Sequence, residues 1–326
     1  MLGSMVASPA RRVPSHHPSL MKVRVIGNPQ AGRGRGRNLI EAFRAQAPTP
    51  GLDVSVALTR CPGDGVRLAR ELAGGADVVG IIGGDGTVHE VVNGLMPHPV
   101  PIAILPCGTG NDFASLFDCP QNPRGFADVL RNRRGARVDV LDFGNRFCVN
   151  SAGLGFEGQV NQRSHGIRGI HGPPLYLVAV FKTLSSLACP YYELTLADGE
   201  RINGERLMVS IGNGSRTGGS FHLTPDACPD DGLIDVCIVD PMRWPRVVAM
   251  LPGTFRGRHV RRSEVRMLRT ERLTIETKGE HPMHIDGELI EITPPVLEIT
   301  VRKRVLPVLC GTRSPNPLRH NLEVLL

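Results

Sequence analysis

Residues 78–92 read VVGIIGGDGTVHEVV, and this stretch decides the fold. An apolar run leads into three glycines within four positions, and valines at helical spacing follow. The segment therefore predicts a strand, a glycine-rich turn and a helix. A turn without side chains lets backbone N–H groups approach a ligand closely, and the helix directs its positive end at the same point. This geometry favours binding of a phosphate group.

Asp85 lies inside this turn, between Gly84 and Gly86. A carboxylate among donors meant for phosphate would repel the ligand unless a divalent cation or a basic side chain lay between them. We therefore expect a nucleotide bound together with a metal ion. Helix stability alone offers a second interpretation, because Thr87 and Glu90 have the spacing of a capping box. That interpretation does not account for Asp85.

Length and composition limit the classes of protein. With 326 residues, two domains are expected. The formal net charge is +7 and nearly all the basic residues are arginines, which favours anionic partners such as phosphates or acidic lipid headgroups. Aromatic residues make up 4% of the chain, too few for the stacking platforms that bind single-stranded nucleic acid. We therefore expect no nucleic-acid partner.

The cysteines and the hydropathy pattern predict a cytoplasmic protein. The eight cysteines include no C-x-x-C pair, which is typical of reduced thiols in the cytosol. No apolar run reaches the roughly 18 residues of a membrane-spanning helix, so any membrane contact would be peripheral, at the inner surface. Residues 1–20 lack the apolar core of a signal peptide, and we interpret them as a disordered lead-in.

The strand, glycine turn and helix pattern recurs on both sides of the opening segment. A strand at residues 23–26 enters the arginine-containing turn 27–37, which is either a phosphate loop or a flexible basic linker. A strand at 102–105 enters the turn PCGTGND, residues 106–112, and we expect a helix to start near Phe113. This alternation predicts a doubly wound parallel sheet of Rossmann type, with all three turns at one edge.

The pattern changes after residue 141. Short strands separated by Asp-Gly, Asn-Gly or Pro turns predict a mainly β second domain, interrupted by one good helix at residues 175–187.

Three stretches of this second half have charged residues that allow two interpretations each. The basic cluster at residues 256–262 is either a membrane-facing patch or a solvated surface. The acidic turn 225–233 is either a site for a hard cation or a plain turn. Residues 284–288, HIDGE, place two acids around a glycine, as a general base or a hairpin turn would require.

Five motifs, in unbroken order from about residue 21 to about residue 308, resemble the diacylglycerol kinase catalytic family. The closest likeness is to its bacterial soluble lipid kinases, which are relatives of sphingosine and ceramide kinases. The motifs are NPxAG at 28–32, GGDGT at 83–87, PxGTxNDFA at 106–114, DGL at 231–233 and DGE at 286–288.

The resemblance implies a fold and an activity. Residues 21–141 would form an α/β ATP-binding domain and residues 142–308 a β-sandwich domain for the lipid substrate, with 309–326 as a tail. The enzyme would transfer the γ-phosphoryl group of ATP, with Mg²⁺, to a hydroxyl of a lipid such as diacylglycerol at the membrane surface. The sequence does not specify the acceptor lipid, and a homodimer is left open.

The resemblance also assigns roles to single residues. Asp85 and Asp112 would organise the catalytic magnesium, and Glu288, with Asp286 beside it, matches the proton acceptor. Cys228, Asp231 and Leu233 match a second, structural magnesium site. Arg33 stands where a lysine is common in these bacterial enzymes. The nucleotide-contacting positions are Asn28, Thr59, Gly83, Gly84, Asp85, Gly86, Thr87, Val88, His89, Gly108, Thr109 and Asn111.

Two other functions are weighed against this one. A small-molecule kinase similar to NAD kinase also uses a Gly-Gly-Asp-Gly-Thr loop, although the motifs at 106–114 and 286–288 favour the lipid kinases. A non-catalytic nucleotide- or lipid-binding regulator would keep the fold without turnover, although the chain retains every acid that the resemblance requires. The sequence contains no G-x-x-x-x-G-K-[ST], so a P-loop mechanism is excluded.

Overall fold

The computed structural model describes residues 20–46, 50–167, 169, 173–278, 281–291, 296–311, 318 and 322–326. Except for Leu20, the predicted lead-in at residues 1–20 lies outside these ranges, as does much of the predicted tail.

The N-terminal half is a parallel sheet covered by helices on both faces. Its strands lie in the order β2-β1-β3-β4 and all run parallel. They are β1 (Met21–Gly27), β2 (Leu52–Leu58), β3 (Val78–Gly83) and β4 (Ile102–Pro106). The helices are α1 (Arg35–Ala45), α2 (Asp64–Ala73), α3 (Asp85–Leu95) and α4 (Pro123–Asn132). One core joins the sheet to α1 and α4 and another joins it to α2 and α3, so the predicted α/β architecture is confirmed.

The opening segment forms β3 and α3, and its predicted capping box is wrong. Helix α3 begins at Asp85, and its N-cap is Gly84, which has no capping side chain. Thr87 instead accepts a hydrogen bond from Asn28, at 3.1 Å. The Glu90 carboxylate reaches the neighbouring helix and accepts hydrogen bonds from N–H groups at the start of α2, 2.7 Å from Gly63 N and 2.8 Å from Gly65 N. Glu90 therefore ties α2 to α3, and local spacing does not reveal such a contact.

The helix expected near Phe113 is a single 3₁₀ turn, Ala114–Leu116. The longer helix α4 follows and was not predicted. Asn122 caps α4 by accepting a hydrogen bond from Gly125 N at 2.9 Å, and Pro123 occupies its first turn.

The C-terminal half is mainly antiparallel β, as predicted. One six-stranded sheet has the order β12-β11-β10-β7-β14-β15 among the described residues. Its strands are β7 (Ser151–Gly155), β10 (Met208–Gly212), β11 (Ile234–Val239), β12 (Val265–Thr270), β14 (Pro282–Ile285) and β15 (Glu288–Glu291). The second layer contains β5 (Arg134–Asp142), β6 (Phe147–Cys148), β8 (Tyr191–Leu196), β9 (Arg201–Glu205), β13 (Arg272–Thr277), β16 (Val296–Leu309) and β17 (Glu323–Val324). Buried side chains from both layers form one apolar core, as in a β-sandwich.

Strand β16 joins the two halves. Near its start it pairs antiparallel with β13, and at its end Val308 pairs in parallel with Ile102 of β4. It pairs with β5 on both sides of a bulge between Arg302 and Leu306, where the register of the pairing shifts. The parallel sheet therefore continues into the second layer as one mixed sheet. The predicted domain limits, 21–141 and 142–308, stay a prediction.

Helices cover the outer face of the six-stranded sheet. They are α5 (Phe156–His165), α6 (Pro173–Leu184) and α7 (Trp244–Thr254), followed by a 3₁₀ turn, Arg258–Arg261. An apolar cluster that includes Val160, Val180, Met208 and Val247 packs between them and the sheet. The prediction of one good helix in this half missed α5, whose sequence has no clear apolar stripe. In the part of the chain that the structure describes, no helix is long and apolar enough to cross a membrane.

Candidate functional site

The three glycine turns meet at the carboxyl ends of β1, β3 and β4, as predicted. Gly84 and Gly108 touch through their backbones, because a Cβ added to Gly84 would lie 2.8 Å from the Cα of Gly108. A Cβ at Gly32 would lie only 1.9 Å from the Cys107 carbonyl oxygen. The turns can therefore pack together only without side chains. Asn111, at a φ of 53°, braces the last turn by accepting a hydrogen bond from Gly108 N at 2.8 Å.

Most of the predicted nucleotide positions lie along this edge. Asn28 binds Thr87, Thr59 N donates to Gly27 O at 2.9 Å, and Thr109 is exposed. Two positions are different. Val88 packs into the core and the His89 ring is buried against the second domain, so any nucleotide contact there is left to their backbone groups.

Asp85 and Asp112 converge at Gly110. A Cβ added to Gly110 would lie 3.1 Å from Asp85 Oδ2 and 3.5 Å from Asp112 Oδ2. Phe113 N donates to Asp85 Oδ1 at 3.3 Å, and Gly219 N donates to both oxygens of Asp112, at 2.9 and 3.0 Å. Gly219 belongs to the second domain, so the pair lies where the two halves of the chain meet.

The electrostatics of the carboxylate pair favour a cation. Burial, reinforced by the neighbouring charge of Asp112, raises the pKa of Asp85 to about 7. Burial also raises the pKa of Asp112, opposed by the Gly219 N–H group and the Arg216 guanidinium. Two buried carboxylates that face each other are stabilised when a positive ion lies between them.

The residues present fit magnesium. Carboxylate oxygens are the ligands that this ion prefers, and it commonly binds one or two carboxylates together with substrate phosphates and water. No cluster of three or more His, Cys, Asp or Glu side chains able to hold a metal ion occurs among the described residues. Asp85 and Asp112 would therefore hold magnesium together with oxygens of a ligand.

The raised pKa of Asp85 predicts how the stability of the metal-free protein depends on pH. Because its pKa is raised from 3.8 to about 7, the folded state holds this proton more tightly than the unfolded chain. The stability from this group is complete below pH 3.8 and is lost as pH rises to about 7. Urea unfolding in a chelator should show this fall, and Asp85→Asn should reduce it. An equal pH dependence in both proteins would contradict the shift.

Asp286 is a saturated, buried anion. Its side chain is 3% exposed and its backbone has a φ of 50°. Its five donors are His89 Nδ1 at 3.0 Å, Cys148 Sγ at 3.1 Å, and the N–H groups of Val149, Asn150 and Ser151 at 3.0, 2.8 and 3.1 Å. Burial acts to raise its pKa, but His89 and the other donors outweigh burial and hold the pKa below its usual range. With both oxygens engaged in this way, Asp286 is suited to holding α3 against β14 and not to accepting a proton.

Glu288 is the second acid of the same turn, and its carboxylate makes no hydrogen bond or ion pair with the described residues. It is exposed at the start of β15, and a Cβ added to Gly86 would lie 3.1 Å from Glu288 Oε1. Its carboxylate therefore lies over the first turn of α3, where the helix dipole favours negative charge. Asp286 and Glu288, which the sequence analysis grouped together, therefore have different environments in the structure.

The second acidic turn is a compact hydrogen-bonded loop. Leu233 N donates to Asp231 Oδ1 at 3.0 Å, Cys228 Sγ donates to Asp230 Oδ1 at 3.0 Å, and Gly232 N donates to Asp139 Oδ2 at 2.6 Å. Asp139, on β5, was not predicted to take part. The assignment of a structural magnesium ion to Cys228, Asp231 and Leu233 stays a prediction.

A cavity lined by both carboxylates lies between the six-stranded sheet and helices α5, α6 and α7. The space inside it that is open to water-sized molecules is about 140 Å³, and the whole space in and around it, open solvent included, is about 1110 Å³. Asp85 and Asp112 lie at one end, and most of the remaining wall is apolar. The apolar lining includes Phe156, Val160, Val180, Leu207, Met208, Phe221, Val239, Val247 and Leu251.

A few polar side chains in this cavity were missed by sequence reasoning. His284 Nε2 lies 3.0 Å from Glu157 Oε1. Burial, followed by the charges of Asp112 and Asp85, raises the pKa of Tyr176 to about 12, which keeps its hydroxyl protonated as a donor. Gly219 lies in the loop GNGSRTGGS, residues 212–220. This loop follows a strand and contains several glycines and an arginine, a pattern that could have indicated that it takes part in the site.

Comparisons with known proteins agree with this arrangement. Residues 22–143 match the diacylglycerol kinase catalytic domain family, and residues 150–310 match the YegS C-terminal NAD kinase beta sandwich-like domain. A diacylglycerol kinase of Mycobacterium tuberculosis is 29% identical over 277 residues, covering 82% of this chain and 88% of that protein.

Two solved structures support the fold. A diacylglycerol kinase from Bacillus anthracis has a TM-score of 0.65 at 22% identity, covering 90% of this chain and 97% of that one. Yeast NADH kinase complexed with NADH has a TM-score of 0.51 at 14% identity, covering 92% of this chain and 82% of that one. At these identities the structural likeness concerns the fold alone.

Proposed function

This chain belongs to the diacylglycerol kinase catalytic-domain family, with a YegS-type C-terminal domain, and we propose that it phosphorylates a hydroxyl of a lipid such as diacylglycerol, using ATP and magnesium. The single observation that carries the proposal is the apolar cavity that ends at the Asp85 and Asp112 carboxylates. A lipid acceptor needs an apolar site for its chains and a polar end for its reacting hydroxyl. The cavity has both.

The N-terminal domain supplies the nucleotide site. The three glycine turns present backbone N–H groups at one sheet edge, and the N-terminus of α3 adds its positive end. Ligands of open α/β sheets bind where the connections diverge, which here is between β1 and β3. ATP phosphates at this point would reach Asp85 and the mouth of the cavity.

The carboxylate pair supports phosphoryl transfer. When bound, magnesium neutralises charge on the phosphates and aligns the group that is transferred. Asp85 and Asp112 would hold that ion, and Gly219 fixes the orientation of Asp112. Arg216 contributes a further positive charge near Asp112.

Glu288 is the residue that we assign as proton acceptor. Its carboxylate is free of the bonds that saturate Asp286, and it follows directly after Gly287, which lines the cavity. Asp286 acts as a positioning residue, because its bonds to His89 and to the backbone of residues 149–151 fix the turn that carries Glu288.

The cavity predicts a dependence on acyl-chain length. Val180→Phe adds volume to the apolar wall, so we expect kcat/KM for a long-chain diacylglycerol to fall about tenfold more than for a short-chain one. Val178→Phe is the matched control, on the same helix but outside the cavity lining. Kinetics in mixed micelles measure both. A loss of equal size for both chain lengths would count against this site for the acyl chains.

The proposed function is tested by transfer of radiolabel from ATP. The acceptors are diacylglycerol, phosphatidylglycerol, sphingosine and ceramide in mixed micelles, with NAD in parallel. We expect magnesium-dependent labelling of a lipid, with diacylglycerol preferred. Labelling of NAD alone would overturn the proposal in favour of a small-molecule kinase. The absence of any labelling, with ATP and lipid still bound, would indicate a regulator.

A further inference from the structure

Helix α7 and the 3₁₀ turn after it carry an unusual surface, defined here as residues 243–262 and called the α7–η surface. It exposes two aromatic side chains, Trp244 at 59% and Phe255 at 36%. Trp244 is the one tryptophan of the whole chain. An aromatic ring at the edge of water is typical of a side chain that lies in a membrane interface.

The charge of this surface is strongly positive. Residues 241–264 contain six arginines and a single acid, Glu264. Glu264 pairs with Arg246 at 3.3 Å. In the described part of the chain, no carboxylate lies within ion-pair distance of the other five, which are Arg243, Arg256, Arg258, Arg261 and Arg262. Such a surface complements an anionic partner.

Two grooves on this surface combine both properties. One is lined by three arginines and one acid, Arg246, Arg261, Arg262 and Glu264, together with Met242 and Ala249. The other is lined by Arg256, Arg258 and Arg262 together with Pro252 and Phe255. Guanidinium groups beside apolar side chains match a phospholipid, whose phosphate adjoins its acyl chains.

The same helix forms a wall of the cavity. Val247, Leu251 and Thr254 line the cavity, and Met250 lines the cavity and both grooves. The α7–η surface and the cavity are therefore separated by little more than one helix.

We propose that the α7–η surface is where the protein docks on an anionic phospholipid bilayer, with Trp244 and Phe255 in the interface and the arginines on lipid phosphates. A second copy of the chain fits less well, because it would bring the same positive charge. The inference concerns binding alone and needs neither ATP nor turnover. It adds to the proposed function because the acceptor would be stored in the bilayer that this surface contacts.

The test measures binding of the full chain to vesicles that contain neither nucleotide nor acceptor. We expect co-sedimentation with vesicles of phosphatidylglycerol and phosphatidylcholine, and little with phosphatidylcholine alone. Trp244 emission should shift to the blue, and brominated acyl chains should quench it. Because this tryptophan is the only one, the signal reports this surface alone.

Charge removal provides the matched comparison. The triple variant Arg258→Gln, Arg261→Gln, Arg262→Gln should bind anionic vesicles about a hundredfold more weakly. The control removes the same charge from exposed arginines outside the α7–η surface, through Arg70→Gln, Arg124→Gln and Arg134→Gln, and should bind nearly as the unchanged chain does. Thermal unfolding checks that both variants are folded.

Three results would overturn the proposal. The first is no preference of the unchanged chain for anionic vesicles. The second is binding without a change in Trp244 emission, as a polyanion site such as one for nucleic acid would give. The third is an equal loss of binding in the control variant. None of these results would bear on phosphoryl transfer, which is measured separately in micelles.

Discussion

Asp85→Asn is expected to lower kcat for phosphoryl transfer by about a thousandfold, the scale seen when a preorganised electrostatic group is removed from an active site. The physical reason is that Asp85 and Asp112 together form the anionic site that would hold a cation against the phosphates. An amide keeps the shape and removes the charge. We expect Asp112→Asn to have a similar effect, because the two carboxylates face the same point at Gly110. Initial rates at saturating ATP and lipid measure the change.

Stability separates this loss from misfolding. Burial raises the pKa of Asp85 to about 7, so the charged form is costly in the metal-free fold. Asp85→Asn should therefore unfold at the same or a higher temperature than the unchanged chain at neutral pH. Asp53→Asn is a suitable control, since Asp53 is a surface acid that pairs with Arg24 and should keep full activity. Full activity of Asp85→Asn would contradict the assignment of this site.

Glu288→Gln is expected to lower kcat by about a hundredfold to ten-thousandfold, the usual range for loss of a general base. The KM for ATP and the unfolding temperature should change little, because the side chain is exposed and the glutamine keeps its size. Steady-state kinetics with varied ATP and varied lipid separate the two parameters. A normal kcat would show that another group accepts the proton.

Asp286→Asn is the comparison that separates the two acids. It leaves His89 buried without its anion and places an amide NH₂ group against at least one of the three backbone N–H donors, so we expect a loss of stability of about 3–5 kcal/mol. Urea unfolding measures this loss. An unchanged stability of Asp286→Asn, or a large destabilisation in Glu288→Gln, would reverse the roles that the structure suggests.

Local patterns predicted the N-terminal half well. Strands β1, β3 and β4 are apolar runs that end in glycine turns, so the information that specifies them lies within a short window of the sequence. The sequence-based predictions failed for residues whose contact partners are distant in the sequence. Glu90 has the spacing of a capping box, but its carboxylate caps a different helix. Helix α5 has no clear stripe, because side chains on more than one of its faces are buried against the cavity, α6 and β14.

The candidate site shows the same limit. Asp85, Asp112 and Glu288 stand in recognisable motifs, so the sequence could select them. Asp139, Glu157 and Tyr176 could not be selected in this way, because their relation to the site exists only once separate strands are paired and the two halves are in contact.

By itself, the sequence determined that glycine turns follow buried strands at one sheet edge and that an acid stands within them, because strand periodicity and the absence of a Cβ act over a few residues. Only the tertiary structure decided that Asp286 is a saturated anchor while Glu288 is free. It also decided that an apolar cavity ends at Asp85 and Asp112, and that α7 lines it while presenting arginines outward. These properties depend on desolvation and on contacts between residues more than a hundred positions apart, such as His89 with Asp286, which no local pattern encodes.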